Sequence, residues 1–278
     1  MNRLPQAKLV QVVRALVEGN SIRSTVRMTG VAKNTVSKLL VELADACAQY
    51  QDDTLRGLTC RRVEADEIWA FCYAKEANVP EEHKGEFGYG DIWTWVAMDA
   101  DTKLIINTLV GERDTPTAID FMTEVRERVA NRTQLTTDGL VCYLTAVEEA
   151  FGADVDYGQL VKVYGTNPDS ERRYSPSRFI TAERRMVSGS PDSATVTTSH
   201  VERQNLTMRM SMRRFTRLTN GFSKKADNLI ASVNLHQMHY NFARPHKSLA
   251  NPYPRTPAMA TGVTDHVWSV EEIVGMLS

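Results

Sequence analysis

The chain contains no apolar run near the ~18 residues that a membrane span requires, so none of its 278 residues is expected to cross a bilayer. Its first eight residues are polar and basic with no apolar core behind them, which does not read as a signal peptide. Cysteine is scarce. Cys47, Cys60, Cys72 and Cys142 form no C-x-x-C pair, which excludes a disulfide framework and a zinc knuckle and points to reduced, mostly buried thiols. There is no internal repeat and no low-complexity tract. An excess of one charge is also missing, the formal net charge being −1. These absences leave a soluble, cytoplasmic, globular protein as the expectation.

The near-zero charge hides a segregation. Over residues 1–40 there are seven Lys/Arg against one acid, and over residues 202–255 there are ten against two. Local field, not net charge, governs attraction to phosphate, so two basic ends around an acidic middle point to double-stranded DNA as a partner.

The pattern along the chain divides it into four parts. Residues 1–50 read as a small all-α domain. Leu9, Val12, Val13, Leu16 and Val17 recur at helical spacing, Ser21 suits an N-cap, and a third helix is expected over about 33–48. Two short helices joined through Thr29-Gly30-Val31 form a helix-turn-helix pattern. In that arrangement the second helix enters the major groove, making Lys33, Asn34, Thr35, Ser37 and Lys38 the candidate base readers. Residues 51–60 are polar and read as a linker. Residues 61–250 follow as strands over 62–73, 91–99 and 103–110, a helix over 115–130, a strand over 134–137, a helix over 144–151 and a strand over 158–163. That order is α/β, a mixed five-stranded sheet with flanking helices. Residues 166–199 read as an irregular excursion with extended pieces, not a packed element, followed by helices over about 199–217 and 224–243. Trp69, Trp93 and Trp95 are assigned to the core. A tail over 251–278 ends in a short amphipathic helix that docks either on its own domain or on a second protomer.

Three acids stand out. Asp66 lies mid-strand, where aspartate is disfavoured, so it must be paired, hydrated, metal-bound or on an exposed edge. Strand alternation puts Glu64, Asp66 and Ile68 on one face, and Ala65, Glu67 and Trp69 on the other. Asp138 closes a strand before Gly139, a position suited to a ligand site or to a simple turn. Glu202 opens a helix, where an acid also serves as a cap. Taken together, oxygen-only ligands suit Mg²⁺, and two such ions support phosphodiester chemistry without a protein nucleophile. One and two turns beyond Glu202, Asn205 and Arg209 share its face. Arg203 is a further candidate for DNA contact. Arg213, Arg214, Arg217, Lys224 and Lys225 are candidate phosphate contacts, which set affinity but not sequence preference. His200 is open between orienting the metal ligands and a structural role.

The blocks ADEIW around Asp66, TTDGL around Asp138 and SHVERQNLTMRMSMRRFTRLTNGFSKK around Glu202 resemble the bacterial DDE transposases, most closely the type named after insertion sequence one. HYNFARPHKSL, His239–Leu249, resembles the tail of many integrase-like transposases. The chain departs from many of these relatives in lacking a cysteine-rich N-terminal element. The resemblance implies a ribonuclease-H-like catalytic domain in which Asp66, Asp138 and Glu202 bind two Mg²⁺, with Mn²⁺ able to substitute. It implies hydrolysis at a transposon end, then attack of the freed 3′-hydroxyl on target DNA. It further implies a homodimer or higher oligomer, since two ends are joined, and a nucleoid-associated location. The competing expectations are a DNA-binding regulator with a non-catalytic domain and a nuclease that hydrolyses without transfer.

Overall fold

A computed structural model describes residues 4–165, 179–216 and 220–277 of the chain. It begins with helices α1 (Gln6–Val17), α2 (Ile22–Thr29) and α3 (Lys33–Thr54). Ser21 caps α2 by accepting from the Ser24 amide, and Gly30 ends it at φ 71°, a left-handed conformation that glycine enters without penalty. Of the apolar residues picked out by their spacing, Leu9, Val12 and Val13 are buried and Leu16 and Val17 half-buried; Val36, Leu39, Leu40 and Leu43 of α3 are buried as well.

The stretch read as a linker is not one. Helix α3 continues to Thr54, and Gln51, Leu55, Leu58 and Cys60 are all buried. The composition misleads because the polar groups serve a buried network. Arg128 sends its guanidinium to the carbonyls of Gln51 (3.4 Å) and Leu55 (3.5 Å) and to the Asp52 carboxylate (2.7 Å). The N-terminal helices therefore share one continuous apolar core with the sheet that follows.

The sheet uses β1 (Arg62–Cys72), β2 (Gly90–Asp99) and β3 (Ile105–Gly111) as an antiparallel meander. Helix α4 (Thr115–Arg128) then returns the chain to β4 (Thr133–Asp138), which runs parallel to β1. Helix α5 (Cys142–Phe151) leads to β5 (Val155–Tyr164), parallel to β4. Up to here the sequence expectation is met, with element ends shifted by a few residues. A sixth strand, β6 (Phe179–Ser188), pairs antiparallel with β5 and gives the order β3-β2-β1-β4-β5-β6. The expected five-stranded sheet is thus a six-stranded one, mixed parallel and antiparallel, within the α/β class. Strand β6 gave no signal because almost every residue in it is exposed. An edge strand without a buried face shows no apolar alternation, and its pairing comes from backbone hydrogen bonds to β5.

The two faces of the sheet bury different partners. Trp95 points to the α4–α5 side, where its ring centroid lies 5.8 Å from Phe121 and 5.3 Å from Tyr143. Ile68, Ala70, Ile92 and Val96 point to the other side, against α6 (Ser199–Ser211) and α7 (Ala226–Met238). Trp69 and Trp93 are only half-buried, so of the three tryptophans assigned to the core only Trp95 is enclosed. Helix α6 stops at Ser211 instead of running to 217. Met212 turns to extended backbone, which lets Met212 and Phe215 enter the same apolar cluster.

The tail carries α8 (Pro257–Ala260) and α9 (Val270–Gly275). Ile273 and Val274 are buried against α1, so the terminal helix docks on its own chain. Among the described residues, no helix is long and apolar enough to cross a membrane. All four cysteines are free and buried, as expected, and burial pushes the Cys47 and Cys60 thiols up to about 12.

Candidate metal centre

Strand register brings the first two acids together. In the parallel pairing of β1 with β4, Ala65 stands opposite Thr137, so Asp66 and Asp138 are neighbours where that pairing ends. One carboxylate oxygen from each of Asp66, Glu67 and Asp138 lies within 4.8 Å of the others. The Asp138 Oδ1 accepts from the Leu140 amide (2.9 Å), which fixes its rotamer.

The third element arrives from the far side of the sheet. Gly158 on β5 matters here, because a Cβ at that position would come within 2.9 Å of Val196. Its bare backbone lets the segment before α6 lie close against the sheet. Helix α6 is then anchored by Glu64, which is almost fully buried on β1. The Glu64 carboxylate accepts from the backbone amides of His200 (2.8 Å) and Val201 (3.1 Å) and from the His200 ring (2.7 Å). A carboxylate at the amino end of a helix satisfies otherwise unpaired N–H groups and complements the dipole. His200 thus has a structural partner, Glu64. One turn past Glu202, the Asn205 side chain donates to Asp66 Oδ2 (2.9 Å).

Asp66, Asp138 and Glu202 line one open cavity of about 540 Å³, together with Arg113 and Lys162. Glu202 stands outside the tight carboxylate cluster; its Oε1 is taken by the Lys162 ammonium and the Thr198 hydroxyl. Glu67 is the acid that alternation assigned to the opposite face. Its carboxylate reaches the cluster while being held by Arg113 through Nε (2.8 Å) and Nη2 (2.5 Å) and by the Tyr143 hydroxyl (3.3 Å). Arg113 also lies over the Trp93 ring, 4.5 Å from its centroid.

The electrostatics are those of a site short of positive charge. Burial, then the neighbouring Glu67 and Asp138, push the Asp66 carboxyl up to about 8. Burial likewise raises Asp138 and Glu67. Buried like charges favour protonation unless a cation joins them. Oxygens sharing one Mg²⁺ at ~2.1 Å sit about 3–4 Å apart, so small rotations within the cluster suffice to chelate it. Asp66 and Asp138 therefore fit a hard divalent cation. Glu202 lies in the same cavity but outside this cluster, paired with Lys162.

The other candidates fall in two groups. Lys33, Asn34, Thr35 and Lys38 are exposed at the start of α3 and Ser37 is half-buried, with Lys38 3.4 Å from Glu42. Arg203, Arg213, Lys224 and Lys225 are exposed, Lys224 stacking on Phe222 at 4.2 Å. Arg209 and Arg214 instead turn inward. Arg209 donates to the Phe215 carbonyl (3.1 Å) and Arg214 to the Ser223 hydroxyl (2.7 Å), and burial lowers the Arg214 guanidinium from its ordinary value. Arg217 lies outside the described residues. Sequence reading missed Glu67, Arg113, Lys162 and the Glu64 anchor. The available signals were a second acid beside Asp66 and a lysine inside a strand.

No family model matches the chain, and no curated protein matches it. Among solved structures it is similar to a piggyBac transposase synaptic complex with hairpin DNA, determined by cryo-electron microscopy. The two are 11% identical, the match covers 98% of this chain and 69% of that one, and the TM-score is 0.43. The chemistry is read from the side chains.

Proposed function

We propose that the chain is a metal-dependent DNA transposase of the DDE type, in which Asp66, Asp138 and Glu202 hold divalent cations. The observation that supports this best is the cavity itself. It gathers Asp66 from β1, Asp138 from the end of β4 and Glu202 from α6, and burial and neighbouring acids raise the Asp66 and Asp138 carboxyls. When bound, two Mg²⁺ or Mn²⁺ ions would activate an attacking oxygen and neutralise the leaving one.

The residues present the rest. Asp138 is locked by the Leu140 amide, and Asp66 is oriented by Asn205. Arg113 compensates the charge of Glu67 within the cluster. No side chain is required as a covalent nucleophile, so catalysis is positioning plus charge stabilisation. The exposed amino end of α3, with Lys33, Asn34, Thr35, Ser37 and Lys38, is the proposed reader of DNA ends in a helix-turn-helix mode. Arg203, Arg213, Lys224 and Lys225 are the proposed phosphate contacts. Joining two ends implies at least a homodimer.

The test is Mg²⁺-dependent cleavage of labelled transposon-end DNA by Asp138→Asn beside the unaltered protein. Cleavage should disappear while DNA binding persists. Normal cleavage by this variant would refute the metal assignment.

A further inference from the structure

Two cationic side chains line the acidic cavity, Arg113 and Lys162, and they are not equivalent. Arg113 makes a two-pronged pair with Glu67, which is itself nearly fully enclosed. Lys162 is a single ammonium on a flexible stem, projecting from β5 two residues beyond Leu160, the partner of Asp138 in the sheet. Its side chain is 28% exposed and that of Glu202 is 40% exposed. The ammonium occupies the same Glu202 oxygen that receives the Thr198 hydroxyl. Glu202 is thereby withheld from the cluster of Asp66, Glu67 and Asp138.

We propose that Lys162 is a resident counter-ion on Glu202 that a divalent cation must displace, so that Lys162 sets the metal concentration at which the site fills. This rests on the metal-dependent reading above. The physical reasons are three. An ammonium is a compact point charge that can leave by rotating its own stem, unlike the forked guanidinium of Arg113. A half-exposed ion pair is weak enough to exchange. A cation retained in the cavity also repels an incoming one until it moves away. The exchange breaks one ion pair and forms another, with no covalent step. Thr198, buried at the start of α6, keeps a hydrogen bond on Glu202 and so limits how far the carboxylate swings.

The test is titration of the full chain with Mn²⁺ alone, following free Mn²⁺ by electron paramagnetic resonance. Lys162→Met should tighten Mn²⁺ binding about 3- to 5-fold, the upper range for losing a partly exposed competing pair. Lys162→Arg should stay closer to the unaltered protein. Introduced into a Glu202→Gln background, Lys162→Met should have an effect at least about threefold smaller, because the pair is already gone. Lys162→Gln replaces the methionine variant if the latter does not fold. Unchanged or weaker Mn²⁺ binding in Lys162→Met overturns the proposal, as does equal tightening in both backgrounds. If instead the unaltered protein binds no Mn²⁺ that Asp138→Asn removes, it is the metal-dependent reading that fails.

Discussion

Asp66→Asn should make the metal-free protein more stable at alkaline pH while disabling the site. In the folded chain the Asp66 carboxyl is pushed up to about 8, first by burial and then by Glu67 and Asp138. In the unfolded chain it titrates near 3.9. The folded state therefore retains a proton that the unfolded chain releases, so the contribution of this group to stability is fully present below about pH 4 and is lost as pH rises towards 8. A gap of about four units at 1.36 kcal/mol each caps the effect near 5 kcal/mol. Asp66 shares its repulsion with Glu67 and Asp138 and opens onto a solvent-filled cavity, so we expect about 2–3 kcal/mol. For a chain of this size that corresponds to roughly 4–6 °C in Tm. The assay is thermal unfolding in chelator at pH 5 and pH 8. Asn at this position keeps an acceptor for the Asn205 side chain and removes only the charge. The variant should melt above the unaltered protein at pH 8, and by a much smaller margin at pH 5. Added Mg²⁺ should raise the Tm of the unaltered protein only. A variant that melts lower at pH 8 in chelator would refute the reasoning, since it would show that the Asp66 charge is compensated within the chain.

Other outcomes follow from the same geometry. Glu64→Ala leaves the first amides of α6 without their buried acceptor and should cost about 2–3 kcal/mol in chemical denaturation, with Glu64→Gln recovering part of it. Arg113→Met strips the partner from buried Glu67; because the Arg113 side chain is 39% exposed, the loss should be about 1–2 kcal/mol at pH 8 and smaller at pH 5, where Glu67 can take up a proton. Lys33→Ala should weaken binding to transposon-end DNA more than to random DNA in a gel-shift assay; equal weakening would make it a phosphate contact.

Much of this arrangement could be read from residue patterns, and the misses share a cause. The helices of the N-terminal region and the strands β1 to β5 carry buried faces, so their apolar periodicity shows where they lie. Strand β6 has no buried face, so the extended pieces expected there gave no sign of pairing into the sheet. The polar run 51–60 concealed buried Gln51 and the Arg128 network, because composition does not report hydrogen bonds made across more than 70 residues. Alternation put Glu64, Asp66 and Ile68 on one face, and the first two meet α6 there. It could not foresee that Glu67, from the other face, would bring its carboxylate within 4.8 Å of its neighbours. Arg113 was invisible for the same reason, and Lys162 showed only as a lysine inside a strand, since each matters only through a partner distant in sequence.

A transposase must join DNA at the acid-lined cavity and not merely cut it. The decisive measurement supplies pre-cleaved transposon ends bearing a labelled 3′-hydroxyl, a supercoiled target plasmid and Mg²⁺. The account predicts labelled ends covalently joined to the plasmid, with no joined product from Asp66→Asn, Asp138→Asn or Glu202→Gln. Plasmid nicking without joining, or joined product from any of the three variants at the unaltered level, would contradict it.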